Sequence, residues 1–115
     1  RDSVIHNNYF AYANDDGIEI DGGQQNVAVF ENTISKTLTG VSAIPNMLGP
    51  SYIFSNTIQN LGDQRGKGYM AVKLGGLLAR PAGMVIIENN VIDKGKKPHS
   101  KASFSGDKHF WVYQK

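Results

Sequence analysis

Val29-Phe30-Glu31-Asn32-Thr33-Ile34 returns 24 residues later as Ile53-Phe54-Ser55-Asn56-Thr57-Ile58. In both, an apolar β-run leads to an asparagine and a β-branched residue follows. Two further segments carry the pattern: Ile5-His6-Asn7-Asn8-Tyr9-Phe10 and Ile87-Glu88-Asn89-Asn90-Val91-Ile92. Aligned on the asparagine, the residue three before it is Ile5, Val29, Ile53 and Ile87 in turn. The residue two after it is Phe10, Ile34, Ile58 and Ile92. The asparagines stand 24, 24 and 34 residues apart, a spacing that marks stacked supersecondary units.

Each unit carries a second signal. Gly17-Ile18-Glu19-Ile20-Asp21-Gly22-Gly23, Gly40-Val41-Ser42-Ala43-Ile44 and Ala71-Val72-Lys73-Leu74-Gly75-Gly76 all alternate apolar and non-apolar residues. That period of two belongs to a strand with one buried face. Gly22-Gly23, Pro45, Asn46 and Gly75-Gly76 supply turns behind these strands. No helical periodicity competes.

The same side-chain type recurs at the same place in successive units. Identical residues stack only where equivalent strands lie parallel and in register, about 4.8 Å apart. Ile5, Val29, Ile53 and Ile87 are therefore expected to form an internal stack. Asn8, Asn32, Asn56 and Asn90 are expected to form a ladder at a corner, with the asparagines themselves in the left-handed backbone region. The fold expected is all-β: a right-handed parallel β-helix, a solenoid of about four rungs spanning 1–115 as one domain. Because the chain opens at Arg1 almost directly in a repeat, it reads as a piece of a longer β-helix with neighbouring rungs in the parent chain. Segments 60–68 and 94–109 read as loops projecting from the rungs, the second rich in lysine (Lys94, Lys96, Lys97, Lys101, Lys108) and holding His99 and His109. Phe110-Trp111-Val112-Tyr113 has strand composition and is expected to complete the fourth rung.

Bulk composition narrows the function classes. At 40% hydrophobic and 19% charged residues over 115 positions, the chain is neither disordered nor collagen-like. A net charge of +2 gives no footprint for nucleic acid. Without cysteine there is no disulfide framework and no thiolate metal site. No apolar run approaches the roughly 20 residues of a membrane span.

Corners of the form Asn-x-Ile, together with Asp15-Asp16-Gly17-Ile18-Glu19-Ile20, resemble the right-handed β-helix repeats of the pectate-lyase-like superfamily. The resemblance runs from about Ser3 to Ile92. It implies a polysaccharide or oligosaccharide as partner and a secreted, periplasmic or cell-surface setting. It does not fix an activity, because this fold hosts lyases, hydrolases, epimerases, tailspikes and inert adhesin stalks.

The densest polar cluster is Asp15, Asp16, Glu19 and Asp21. With Ile18 and Ile20 turned inward, Glu19 and Asp21 face out, and Asp15 and Asp16 stand at the start of the strand. Ser42 and Lys73 occupy the position of Glu19 one and two rungs along. Carboxylates beside a lysine on one flat face suit acid–base work on a sugar, or calcium held by hard oxygen ligands. Asp15, Asp16, Glu19 and Lys73 are thus the catalytic candidates, and Asp21, Ser42 and Lys73 the substrate-binding ones. The four acids are the candidate calcium ligands; a solvated sheet face with turn-forming aspartates is the alternative.

Asp15-Asp16-Gly17-Ile18 is similar to the first motif of polygalacturonase-type hydrolases, and Lys73 falls where the lysine of their third motif would. The likeness then fails: Leu38-Thr39-Gly40 has no histidine, and Ala71 stands where an arginine should. A lyase would need a cation for the uronate carboxylate and a base for the C5 proton. Lys73 serves as that base only if its pKa falls well below its ordinary value. His6 lies in line with Phe30, Phe54 and Glu88, an outward stack on a different face. Tyr52, Phe54, Trp111 and Tyr113 are either sugar-stacking aromatics or parts buried under loops.

Two functions stay open: a carbohydrate-active segment that binds, and in one form cleaves or epimerises, a polysaccharide along the Glu19/Ser42/Lys73 face, or a non-catalytic structural or adhesive stalk. The first calls for an open groove lined by carboxylates and walled by both loops, the second for loops lying flat.

Overall fold

A computed structural model of the chain describes residues 1–68, 70–74 and 83–93, and the backbone of 101–105 and 111–114. Among the described residues every regular element is a strand. One sheet orders β1 (Ser3–His6), β4 (Val27–Phe30), β7 (Ser51–Phe54), β10 (Val85–Glu88) and β13 (Trp111–Gln114). A second holds β2 (Tyr9–Ala11), β5 (Thr33–Ser35), β8 (Thr57–Gln59) and β11 (Val91–Asp93). The third holds β3 (Asp16–Glu19), β6 (Thr39–Ala43), β9 (Met70–Leu74) and β12 (Lys101–Ser105). Every pairing is parallel. Each passage of the chain thus lays one strand on each sheet before returning to the first.

The registers follow the repeat. Ile5, Val29, Ile53 and Ile87 pair in series, as do Phe10, Ile34, Ile58 and Ile92. Ile18, Val41 and Val72 form the matching column of the third sheet. These columns meet in one core, where Val29, Ile34, Val41, Ile53, Ile58, Val72 and Ile87 are wholly enclosed. Burying each such side chain is worth about 1.5–3 kcal/mol. Ile5, Phe10 and Ile92 sit at the ends of their columns and are half-buried.

Between the first and second sheets the asparagines form a continuous ladder. The Asn32 Oδ1 accepts from Asn8 N and Nδ2 at 3.1 Å each, and Asn56 Oδ1 accepts the same pair from Asn32 at 3.0 and 3.1 Å. Asn90 Oδ1 does so for Asn56 at 2.9 and 3.0 Å. Each Nδ2 of Asn32, Asn56 and Asn90 also donates to a carbonyl of the preceding passage, at Ile5, Val29 and Ile53. The left-handed backbone, however, falls one residue earlier than expected: Asn7, Glu31, Ser55 and Asn89 have φ of 56°, 53°, 53° and 54°. The ladder position selects asparagine for its amide, while the bend itself is taken by whatever precedes it.

Three loop and strand expectations are corrected. Trp111–Gln114 pairs with β10 in the first sheet, so it begins a further passage instead of completing the fourth. Lys101–Ser105, expected within a loop over 94–109, is a strand on β9. Lys101 aligns with Met70 but Phe104 with Val72, so one extra residue interrupts the alternation that would have revealed the strand. The 60–68 segment is a loop that lies back on the molecule instead of projecting. Gly62 N–H donates to Thr37 O at 2.8 Å, Arg65 Nη2 to Asn14 O at 2.9 Å and Gln64 N–H to Asn14 Oδ1 at 3.1 Å. Its brace is the enclosed Asp63 carboxylate, which accepts the backbone N–H groups of Arg65 and Lys67 and the Arg65 guanidinium. Burial alone would raise the Asp63 pKa, but those hydrogen bonds and the Arg65 charge hold it below the ordinary value. Gly75-Gly76, Lys94, Lys96, Lys97, His99, Lys108, His109 and Phe110 lie outside the described residues.

Candidate functional site

The acidic cluster sits at the start of the third sheet, where strict alternation breaks. Ile18 and Ile20 are buried at 5% and 2% exposure. Gly17 also faces inward: a Cβ there would lie 2.6 Å from Ile34 Cγ2 and 2.8 Å from Gly40 O, so no larger residue fits. With Gly17 and Ile18 both inward, Asp16 and Glu19 are brought to the same outer side, and Asp21 follows after Ile20. Asp16, Glu19 and Asp21 each offer an oxygen within 4.8 Å of the others. Asp15 stands outside this group and is exposed.

Glu19, Ser42 and Lys73 align in series as expected. Their side chains do different things. Ser42 is fully enclosed, and its hydroxyl donates to Asp21 Oδ1 at 2.7 Å. The Ile44 N–H reaches the same oxygen at 2.8 Å, so Ser42 positions Asp21 and presents no hydroxyl to solvent. Lys73 crosses two strands to Asp16, with Nζ 2.8 Å from Oδ2. The Asp16 side chain is 1% exposed and that of Lys73 25%. The other Asp16 oxygen, Oδ1, is enclosed without a hydrogen-bond partner.

Electrostatics separates the roles. Burial alone would lower the Lys73 pKa, but the hydrogen bond and charge of Asp16, with Asp21 and Asp15 behind, leave it raised. Deprotonating Lys73 is therefore harder than in water, opposite to what a proton-abstracting lysine requires. Glu19 is exposed, and its pKa is also raised, first by the charge of Asp21, then by desolvation and by Asp16 and Asp15, with Lys73 opposing. Like charges this close oppose one another's ionisation, and Glu19 has acids on several sides.

The acids Asp16, Glu19 and Asp21 are the residues that would hold a cation. Calcium takes about 6–8 oxygens. Lys73 already supplies positive charge to Asp16, and Ser42 and Ile44 already use one Asp21 oxygen, so these acids fit only an ion that draws most of its ligands from elsewhere.

The remaining candidates fall elsewhere. His6 stacks on Phe30, and Phe30 on Phe54, with centroids 4.9 Å apart in both pairs and planes within 6°, on the first sheet and away from the acids. Nδ1 of His6 is 2.5 Å from Asn7 Oδ1. Ring faces in that column are turned toward one another, which leaves Phe54 poorly placed as a sugar platform.

Sequence reasoning passed over a cleft of about 520 Å3 lined by Tyr12, Lys36 and residues 60–64. Its signal was present: Tyr12, Lys36 and Asn60 each stand two after a core residue, Phe10, Ile34 and Ile58, at the repeat spacing. Comparison of the chain with family models, curated proteins and solved structures finds no match.

Proposed function

We propose that the chain is a segment of a right-handed parallel β-helix, related in design to the pectate-lyase-like solenoids, which binds a polysaccharide across the outer face of the third sheet. Glu19 gives a proton to the glycosidic oxygen as the bond to the leaving sugar breaks. Asp21, held in place by Ser42 and Ile44, bonds to the freed sugar carbon until water displaces it and returns a proton to Glu19. Carboxyl groups this close suit that course and not one that needs room for a water between them. The observation that carries this reading is the convergence of Asp16, Glu19 and Asp21 within 4.8 Å, with the pKa of the exposed Glu19 raised by the charge of Asp21. General-acid catalysis of glycoside cleavage asks for a carboxyl group disposed to keep a proton beside a second carboxyl group. Hydrolysis is preferred over β-elimination because Lys73 is bound to Asp16 and raised in pKa, leaving it unsuited to abstract a C5 proton.

A second reading, a non-catalytic stalk, is favoured by the 60–68 loop, which packs on Asn14 and lines the second corner where a groove over the third-sheet acids would call for a wall. Turnover separates the two. Incubating wild type and Glu19→Gln with a panel of neutral and acidic oligosaccharides should show product from the wild type and a loss of about 100-fold or more in the variant. Equal rates in both would remove Glu19 from the chemistry. No binding or cleavage of any sugar, with or without calcium, would leave the stalk.

A further inference from the structure

After β2, β5 and β8 the chain bends at Tyr12, Lys36 and Asn60, with φ of 64°, 57° and 49°. Tyr12 N–H donates to Ser35 O and Lys36 N–H to Asn60 O, so the three residues form a column at the second corner. Left-handed backbone at a tyrosine and a lysine is uncommon, and here it turns both side chains out of the corner together. Lys36 Nζ lies 4.8 Å over the Tyr12 ring and donates to its hydroxyl at 3.1 Å. Tyr12 nevertheless remains 60% exposed. Residues 61–64 wall the opposite side, and the cleft between, about 520 Å3, has room for one ring-sized ligand.

The charges of this cleft do not cancel. Its acid, Asp63, is enclosed and neutralised by Arg65. Lys36 is exposed and pairs with no carboxylate among the described residues. Its hydrogen bond to Tyr12 raises its pKa, so it is cationic across the physiological range. An aromatic ring beside a permanent cation, with the amides of Asn60 and Gln64 at the rim, is complementary to a ring that carries an anion and hydroxyls.

We infer that the Tyr12–Lys36 cleft binds one carboxylate-bearing sugar unit, with Lys36 meeting the carboxylate and Tyr12 packing against the ring. The inference rests on the polysaccharide reading above and deepens it. An anionic unit is repelled by the acids of the third sheet and attracted here, so the chain's acidic group is read at Lys36 and not at Lys73. The second corner is then a specificity subsite beside the acidic face.

Calorimetric or chemical-shift titration of the protein with D-glucuronate and with D-glucose tests this. Wild type should prefer glucuronate, with binding weakened by salt. Lys36→Gln should lose about tenfold in glucuronate affinity and the preference over glucose with it. Tyr12→Ala should weaken both sugars. Both residues are exposed, so these variants should fold as wild type. Equal binding of the two sugars by wild type, or unchanged glucuronate binding by Lys36→Gln, would overturn the assignment. Glu19→Gln measured alongside separates the two sites. Binding lost there and kept in Lys36→Gln would place the acid on the third sheet, against the cleft. Binding lost only in Lys36→Gln, with no Glu19-dependent turnover of any oligosaccharide, would support the cleft while the hydrolase reading fell.

Discussion

At the asparagine corner four successive passages present one residue type, Asn8, Asn32, Asn56 and Asn90, each bonded to the next. On the outer face of the third sheet the same backbone register presents Glu19, Ser42 and Lys73. The first region solves one problem repeatedly: it satisfies the polar groups of a tight bend by passing amide hydrogen bonds up the stack. The second places unlike groups side by side, leaving Asp16 with one enclosed, unbonded oxygen and Glu19 crowded by other acids. Repetition stabilises; departure from repetition gathers charge.

The contrast can be broken most forcefully at the core beneath the ladder. Ile53 is wholly enclosed with neighbours on both sides, so Ile53→Ala should cost about 2–5 kcal/mol in chemical denaturation. Ile5 is half-buried at the end of its column, and Ile5→Ala should cost distinctly less. Equal losses would show that position within the stack does not set stability.

The ladder itself comes next. The Asn56 side chain makes four hydrogen bonds, to Asn32 N and Nδ2, Val29 O and Asn90 Oδ1, so Asn56→Ala should cost about 3 kcal/mol. Asn8 is exposed at the first passage, and its replacement should cost about 1 kcal/mol or less. Should the two cost the same, the bonds along the ladder would not be additive supports.

On the third sheet, Lys73→Ala strips the partner from a carboxylate whose side chain is 1% exposed. A loss of about 2 kcal/mol is expected, after allowing for the partial exposure of the lysine, and Asp16→Asn in the same background should restore part of it. A Lys73→Ala protein as stable as wild type would mean that the pair is a surface contact.

The smallest effect is at Glu19, and its sign matters more than its size. The folded-state pKa is raised, so the folded chain binds more protons than the unfolded chain between the ordinary glutamate value and the raised one. The stability contribution is therefore most favourable below that window and is lost as pH rises through it. Glu19→Gln should match wild type at acid pH and be slightly more stable at neutral pH, by denaturation at both. A variant less stable at neutral pH would mean that the Glu19 charge is welcome in the fold.

The columns and the ladder were legible because residue identity repeats at a fixed interval, as with Val29 and Ile53 or Asn32 and Asn56. The Asp16–Lys73 pair was not, because it joins residues 57 apart and depends on Gly17 and Ile18 both turning inward, which period-two reading does not foresee. Lys101–Ser105 was hidden by one extra residue in its pairing with β9. Lys36 drew no reading from the sequence, since only its column with Tyr12 and Asn60 gives it a cleft.

Whether the departures from repetition form the site is tested most directly by amide chemical-shift mapping with whichever oligosaccharide the protein binds. The perturbed amides should cluster on Asp16–Glu19, Thr39–Ala43 and Met70–Leu74, joined by Tyr12, Lys36 and residues 60–64 where the sugar carries a carboxylate. A footprint along the asparagine corner or the first sheet, with the third sheet silent, would contradict the account.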